Sequence, residues 1–316
     1  MKGALLVLAP GPCTTVQDLG RFGYQHLGMP ASGALDTFAM RAANLIVGNP
    51  EESAVLEMTV VGPQLAIMKR ADLALTGADM TVKLNSRPAA PWKSIPVEPG
   101  DLLSIQTVTS GCRGYLAITG GIQVPKVMGS CSTYIDGSVG GLKGRPLIKG
   151  DVLQSGPGIL LKSPRRIPPA WIPRYGDRIA LRALPGPQDA LFDQGLATLF
   201  SAEYVVSVTS DRMGCRLQGP PVKPNIDAPA SIISEPVMPG SIQVPADGQP
   251  IILFAEQTMG GYAKIATVLS TDISKIAQAV PGDTVRFHQV DLDEAHGAKR
   301  EQEAQLAQIA DMLSRQ

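Results

Sequence analysis

A polar, glycine-rich stretch near the start of the chain, residues 14–36, carries side chains that could bind an anion or take part in catalysis. Its polar residues, set between glycines 20, 23, 28 and 33, are Gln17, Asp18, Arg21, His26 and Asp36. Glycine at this density predicts a backbone that turns repeatedly. Residues 35–48 then show helical spacing and end at Gly48-Asn49-Pro50. A loop leading into a helix N-terminus is a candidate carboxylate site, and a purely structural loop is the alternative.

A second polar group lies in the other half of the chain, within residues 210–220 and 255–268. Its members are Ser210, Asp211, Arg212, Glu256, Gln257, Tyr262 and Lys264. Lys264 interrupts the apolar run KIATV. We expect this lysine to bind a carboxylate or phosphate or to act as a base, and the alternative is a lysine that protects an edge strand.

Arginines and glutamines extend this polar set. Arg21 and Arg212 can each bind a carboxylate or phosphate through two parallel hydrogen bonds. The alternative for each is a structural ion pair, with Asp18 or Asp211 as the candidate partner. Amide-based recognition of a small polar substrate is suggested by Gln188, Gln243, Gln249 and Gln257.

Several familiar catalytic signatures are missing from the sequence. Three histidines without an H-x-H or HExxH cluster predict no metal site. The glycine-rich residues 137–145 lack the spacing of a phosphate-binding loop, and no G-x-S-x-G motif occurs. Met68-Lys69-Arg70 departs from the biotin-accepting Met-Lys-Met at its third position. Any ATP or biotin chemistry is therefore predicted to depend on a partner or on an unfamiliar site.

The composition also indicates which classes of partner and which compartment to expect. Lys and Arg total 28, and Asp and Glu total 28, so no electrostatic footprint for nucleic acid or acidic lipid is present. No window approaches 18 uncharged apolar residues, and the first apolar run lacks a cleavage site. Neither a membrane nor a nucleic acid is predicted as a partner. Four cysteines without C-x-x-C pairing predict reduced thiols in the cytoplasm.

The elements that must position these residues are predicted to be mostly short strands. The chain of 316 residues has 33 glycines and 27 prolines, which favours strands and turns over helix bundles. Predicted strands of the first half include residues 71–77, 80–85, 101–108 and 112–122. Pro-Gly-Pro, Gly-Pro, Gly-Tyr and Gly-Asp recur in the same order in both halves, which indicates a duplication into two β-rich lobes with a cleft between them. Chance recurrence of common residues is the alternative.

The predicted organisation has four parts. They are a first lobe over residues 1–162, a linker or surface strap over 163–177, a second lobe over 178–290 and a helical tail over 291–316. The linker is predicted from its proline-rich, mixed-charge composition. The tail places Leu306, Ile309 and Leu313 on one stripe, which we expect to dock on the body of the protein or on a partner.

Several of these segments together resemble the allophanate hydrolase subunit 2 family, also called the biotin-dependent carboxyltransferase family. They are residues 14–36, GNPEESAVLE (48–57), LAITGGIQVPKVMGSCSTY (116–134), SDRMGCRLQGP (210–220) and residues 233–268. The resemblance extends from about residue 4 to residue 290. It implies a mostly β fold of two cyclophilin-like β-barrel lobes, with a few short helices and a C-terminal helix.

The resemblance also implies a function. Members of this size resemble a subunit of bacterial 5-oxoprolinase, which acts with two partners, subunits A and B, to open 5-oxoproline to L-glutamate with ATP. ATP would then act at the level of the complex, with no biotin attached to this chain. The predicted catalytic residues, placed in the cleft, are Lys264, Arg21, Gln257 and Asp18. The predicted substrate-binding residues are Gln17, Asp36, Ser210, Asp211, Arg212 and Tyr262.

Two other functions are compatible with this resemblance. One is the carboxyltransferase half of a biotin-dependent, urea-carboxylase-like system with a separate biotin carrier. The other is a regulatory protein that binds a partner which inhibits a kinase. Self-association into a homo-oligomer is compatible with each of them.

Overall fold

The computed structural model describes residues 3–229 and 231–316. The chain divides into two compact units, each discontinuous in sequence. Unit 1 comprises the residues up to Arg21, Ser32–Tyr175 and Ala304–Gln316, and unit 2 comprises Phe22–Ala31 and Gly176–Glu303. Each unit contains a barrel-like sheet, and the described residues form four α-helices that include a C-terminal one. The prediction of a mostly β fold with two barrel-like lobes is confirmed.

Unit 1 is built on a ten-stranded sheet. Its strands are β1 (Leu5–Ala9), β2 (Thr14–Gln17), β3 (Val55–Thr59), β4 (Gln64–Ile67), β5 (Ala71–Leu84), β6 (Arg87–Ala89), β7 (Ser94–Val97), β8 (Leu102–Ile118), β9 (Ile122–Gln123) and β10 (Val152–Ser155). They follow the order β2-β3-β8-β4-β1-β10-β9, and β5 pairs with β6, β7 and β8. The four α-helices within residues 3–229 and 231–316 are α1 (Thr37–Ile46), α2 (Asp193–Ser201), α3 (Ser270–Ile276) and α4 (Leu292–Ser314).

The two longest strands, β5 and β8, each join two predicted strands. Residues 71–77 and 80–85 form one strand, and residues 101–108 and 112–122 largely form another. The predicted break at Gly77 is wrong, because this glycine interrupts the ladder without ending the strand. The β5–β8 register shifts after Gly77, whose φ is +84°. A glycine at positive φ permits such a bulge inside a strand as readily as a turn between two strands.

Side chains on the two faces of β5 and β8 enter two different cores. Leu73 and Leu75 belong to one cluster with Leu116 and Ile118, whereas Ala74 belongs to a second cluster that includes α1. This alternation is the period of two expected for a strand that is covered on both faces. The stripe Leu306, Ile309 and Leu313 is buried in that second cluster. The tail stripe is therefore confirmed, and it docks on the body of unit 1.

Residues 163–175 of the proline-rich segment belong to unit 1. Arg165 N donates to Ser94 Oγ at 2.8 Å, and Ser94 N donates to the Arg165 carbonyl oxygen at 2.8 Å. Trp171 and Ile172 pack against the α1 cluster. Of the two forms predicted for this segment, the surface strap agrees with these contacts.

Unit 2 is a closed barrel with the strand order β11-β18-β15-β16-β13-β12-β19. Its strands are β11 (Arg178–Pro185), β12 (Glu203–Val206), β13 (Gly214–Gln218), β15 (Ser241–Val244), β16 (Ile251–Leu253), β18 (Ala263–Val268) and β19 (Thr284–Gln289). Two short strands, β14 (Glu235–Pro236) and β17 (Met259–Gly260), pair with each other outside this barrel. None of the helices among the described residues combines the length and hydropathy needed to cross a membrane.

Candidate functional site

Strand β2 ends in a buried amide that joins three segments of unit 1. Gln17 is fully buried, and its Nε2 donates to the Thr133 carbonyl oxygen and to Thr15 Oγ1, each at 3.1 Å. Its Oε1 accepts a hydrogen bond from Gly33 N at 3.1 Å. The two ends of the Gln17 amide therefore join the end of β2 to the segments around Gly33 and Thr133.

The next residue, Asp18, gathers hydrogen-bond donors around its carboxylate. Oδ1 accepts from Gly20 N at 2.9 Å, from Ser130 Oγ at 2.6 Å and from Ser132 Oγ at 2.5 Å. Oδ2 accepts from Cys131 N at 2.6 Å. The side chain is buried, so this carboxylate fixes the Ser-Cys-Ser segment against the end of β2.

Arg21 is the largest fully buried side chain of the described chain. Its Nε donates to the Val127 carbonyl oxygen at 3.0 Å, and its Nη2 donates to the Ser132 carbonyl oxygen at 2.8 Å. Burial lowers the pKa of this guanidinium, and the Asp18 charge opposes that change. Nη1 has no hydrogen-bond partner among the described residues. The partners of Arg21 are thus backbone carbonyls of the segment that Asp18 also holds.

The glycines that follow this segment are required by internal packing. A Cβ at Gly140 would lie 2.1 Å from the Ser132 carbonyl oxygen and 2.7 Å from Arg21 Nη2. A Cβ at Gly144 would lie 2.1 Å from the Ser138 carbonyl oxygen. Because these contacts account for the glycines, the run 137–145 needs no phosphate group to explain its composition.

Gly140→Ala is expected to destabilise unit 1 more than Gly129→Ala. Both positions have positive φ, +70° and +81°, but no atom lies within 4 Å of a Cβ at Gly129. Left-handed backbone strain alone costs about 1–2 kcal/mol, so that is the loss expected for Gly129→Ala. Steric overlap raises the loss for Gly140→Ala to about 2–5 kcal/mol. Urea unfolding of both variants measures this, and equal losses would contradict it.

Asp36 is the N-cap of α1, which begins where the sequence predicts a helix. Its Oδ1 accepts from Ala39 N at 3.0 Å, and its Oδ2 accepts from Tyr175 Oη at 2.8 Å. Asp36 N donates to Tyr115 Oη at 2.8 Å. Burial raises the pKa of the Tyr115 hydroxyl, and the nearby Glu57 and Asp36 charges raise it further. Asp36 therefore links the helix start to the proline-rich strap.

Unit 2 contains a polar pocket of about 390 Å³ beside strands β13, β15 and β16. Its polar lining consists of Ser207, Thr209, Asp211, Arg216, Gln218, Gln243, Asp247, Gln249, Gln257 and Tyr262. The predicted residues Asp211, Gln257 and Tyr262 are thus brought together, along with two of the glutamines suggested for amide recognition, Gln243 and Gln249.

Some of these polar groups are engaged with the protein, and others are available to a ligand. Gln249 exchanges both ends of its amide with the backbone of Gly219, at 2.8 and 3.2 Å. Gln243 Nε2 donates to the Tyr262 carbonyl oxygen at 3.3 Å. Among the described residues, the side chains of Gln257, Tyr262 and Arg216 make no hydrogen bond. The pocket therefore presents an amide, a hydroxyl and a guanidinium, a donor set that suits a carboxylate or carbonyl oxygen.

Residues 210–212 have three different environments. Ser210 Oγ accepts from Arg216 N at 3.0 Å, and Asp211 Oδ1 accepts from Met213 N at 2.7 Å, so both shape the turn before β13. Arg212 is buried, and its Nε donates to Glu256 Oε1 at 2.7 Å. Arg212 thus forms the structural ion pair that was predicted as its alternative role. Its partner is Glu256, and the candidate partner Asp211 is wrong.

Lys264 lies on β18, a strand of the closed barrel whose neighbours are β11 and β15. Only 6% of it is exposed, and its Nζ donates to the Glu235 carboxylate and, at 3.4 Å, to the Pro236 carbonyl oxygen. The alternative of an edge-strand lysine is wrong, because β18 has neighbours on both sides. Gln243, which lines the pocket, is the cross-strand partner of Lys264, so Lys264 lies next to a pocket-lining residue.

The predicted site residues therefore fall into separate groups. Unit 1 holds Gln17, Asp18, Arg21 and Asp36, and unit 2 holds Ser210, Asp211, Arg212, Gln257, Tyr262 and Lys264. The catalytic and substrate-binding roles assigned to them stay predictions. The sequence analysis did not propose Glu235 or Arg216. A lysine in an apolar strand signals that some carboxylate must be near, but not which one.

No cluster of three or more His, Cys, Asp or Glu side chains able to hold a metal occurs in the described part of the chain.

The described residues thus form a two-unit, mostly β protein with a polar pocket in unit 2. The chain belongs to the carboxyltransferase domain family, whose model, described as "Carboxyltransferase domain, subdomain A and B", matches residues 27–289. The resemblance drawn from the sequence motifs is confirmed.

The chain is also similar to individual proteins of known name or structure. The chain is 39% identical over 313 residues to the C subunit of 5-oxoprolinase from Escherichia coli (strain K12), covering 97% of each chain. It is 37% identical over 297 residues to the corresponding C subunit from Haemophilus influenzae, covering 93% of this chain and 94% of that protein. The crystal structure of the Kluyveromyces lactis urea carboxylase matches with a TM-score of 0.91 and 33% identity. That match covers 98% of this chain and 29% of the larger protein.

Proposed function

We propose that this chain is one subunit of an ATP-dependent enzyme that opens 5-oxoproline to L-glutamate together with two partner subunits, A and B. The observation that carries the proposal is the near full-length similarity to two proteins that are each named as the C subunit of 5-oxoprolinase. The polar pocket of unit 2 supports it, because 5-oxoproline is a small molecule with one carboxylate and one lactam carbonyl. Its donors Gln257, Tyr262 and Arg216 suit those two groups.

The proposed reaction uses ATP to phosphorylate the lactam carbonyl oxygen, which releases ADP. Water then attacks that carbon, the ring C–N bond breaks and the nitrogen takes up a proton. A second water hydrolyses the resulting acyl phosphate to the side-chain carboxylate of glutamate and inorganic phosphate. Negative charge develops on oxygen during this attack, so a fixed cation and fixed donors lower the barrier. Lys264 is the nearly buried cation that we assign to this task, and Gln257 supplies an amide donor. Asp18 and Arg21 contribute by holding residues 127–132 in place.

Glutamate release from 5-oxoproline and ATP tests this function. We expect release only when the chain is combined with both partner subunits, and none from the chain alone or from the partners alone. ADP formation measured in the same samples shows whether ATP use depends on the lactam. No glutamate from a mixture whose three subunits are folded and bound to one another would reject the proposal.

A second function, carboxyl transfer to a urea-like substrate, is favoured by the match to the urea carboxylase structure. In that case a separate carrier would bring biotin, and the same pocket donors would bind the urea carbonyl oxygen. Biotin detected with streptavidin on a co-purifying partner, together with urea-dependent consumption of carboxybiotin, would support this function over lactam opening.

A further inference from the structure

A carboxylate outside the barrel balances the charge of Lys264. The lysine side chain is 8% exposed, whereas its partner Glu235 is 38% exposed. A buried ammonium is stable only with a paired charge and further hydrogen-bond acceptors. Both acceptors of Lys264 Nζ, the Glu235 carboxylate and the Pro236 carbonyl oxygen, come from β14. The position of the ammonium therefore depends on where β14 lies.

Gln188 closes a ring of hydrogen bonds around this pair. Its Nε2 donates to Glu235 Oε1 at 2.7 Å, and its Oε1 accepts from Lys264 N at 3.0 Å. The pKa of Glu235 is lowered, first by the hydrogen bond from Lys264 and next by that from Gln188. One side chain thus holds the carboxylate and the lysine backbone at a fixed separation.

Strand β14 also contacts the segment that joins two pocket-lining residues, Gln257 and Tyr262. Glu235 pairs with Gly260 in β17, and Val237 N donates to the Thr258 carbonyl oxygen at 3.1 Å. The contacted residues, Thr258 and Gly260, lie in sequence between Gln257 and Tyr262. A displacement of β14 would therefore move the lysine partner and this segment together.

We propose that Glu235 is a positioning residue, which holds the Lys264 ammonium in the orientation that the reaction uses, and that Gln188 holds Glu235 in turn. This inference rests on the role of Lys264 in the proposed function. Glu235 itself need not touch the substrate. Its charge and its length are both required, because the ring closes only when the carboxylate reaches Lys264 Nζ and Gln188 Nε2 at once.

Glu235→Gln tests the charge, Glu235→Asp tests the length, and Glu203→Gln is the matched control. Glu203 also belongs to unit 2, and it forms an exposed ion pair with Arg286 at 2.8 Å. Acetylation of Lys264, followed by mass spectrometry on the chain alone, reports whether the ammonium is held. We expect labelling to rise roughly fivefold in Glu235→Gln, the change equivalent to losing one ion pair, and to stay at the wild-type level in Glu203→Gln.

The kinetics of the reconstituted complex distinguish a positioning role of Glu235 from a purely structural one. We expect kcat to fall about 10- to 100-fold in Glu235→Gln with KM nearly constant, and Glu235→Asp to recover part of that loss. Wild-type labelling and kcat in Glu235→Gln would overturn the proposal, as would an equal effect in Glu203→Gln. If the complex turns over no substrate, the proposed function fails, and the labelling of Lys264 still decides whether Glu235 holds it.

Discussion

Lys264→Ala removes turnover from the reconstituted three-subunit complex, with an expected fall in kcat of about 1000-fold. The reason is that Lys264 is a cation with 6% exposure that lies next to the pocket lining, where water competes little for its charge. Lys264→Arg keeps the charge, but its planar guanidinium cannot occupy the same position between the Glu235 and Pro236 oxygens. We therefore expect Lys264→Arg to recover only a small part of the activity. Glutamate release at saturating 5-oxoproline is the measurement.

Lys299→Ala is the control for this experiment. Lys299 is an exposed lysine of α4 that pairs with Glu303, and we expect full activity after its removal. The unfolding free energy of Lys264→Ala should fall little, because the Glu235 carboxylate that it leaves is partly exposed and can be hydrated. Wild-type kcat in a folded Lys264→Ala complex would refute the catalytic role of this lysine and leave its ion pair as structural.

Local patterns in the sequence predicted several parts of this structure. Apolar spacing predicted the helix after the glycine-rich loop and the buried stripe of the C-terminal tail, because both are set by residues three or four positions apart. The density of glycine and proline predicted the mostly β class. The motif resemblance predicted the family. In each case the signal lies within a short segment or in the composition of the chain.

Long-range partners could not be predicted in this way. Arg212 has Asp211 beside it in sequence but pairs with Glu256, and Lys264 pairs with Glu235, which lies 29 positions away. A buried charge requires a partner, but the requirement does not say which segment supplies it. The sequence likewise did not predict that residues 304–316 belong to unit 1. An apolar stripe shows that a helix face is buried, but it does not specify which surface covers that face.

Asp18 shows most clearly that long-range partners cannot be predicted from local sequence. Its substitution is also the second change for which we expect a large effect. Its residue type and its position in a polar loop suit a catalytic acid or base as well as a structural acceptor. The structure gives its two oxygens four donors, from Gly20, Ser130, Cys131 and Ser132. No sequence pattern connects residue 18 with residues 130–132, so the structural use of this carboxylate could not be read from the chain.

Asp18→Asn is expected to lower the unfolding free energy by about 3–5 kcal/mol. Asparagine has one oxygen in place of two, so its amide NH₂ would face either Cys131 N or the hydroxyl donors of Ser130 and Ser132. At least one buried donor then loses its acceptor, and the charge that strengthened the others is gone. The carbonyl oxygens bound by Arg21 lie in the same segment, so local order around residues 127–132 should also be lost. Urea unfolding gives the free energy, and hydrogen exchange of the Cys131 amide reports the local loss.

Asp101→Asn provides the matched comparison within unit 1. The Asp101 carboxylate also accepts hydrogen bonds, from Glu98 N at 2.8 Å and Asn85 Nδ2 at 2.6 Å, but these bonds are exposed to solvent. Water replaces the lost interactions there, so we expect a loss of less than about 1 kcal/mol. Similar losses in the two variants would mean that burial adds nothing to the Asp18 interactions. In that case Asp18 would not be the residue that fixes the Ser-Cys-Ser segment, and a role for its carboxylate in the reaction would become the better explanation.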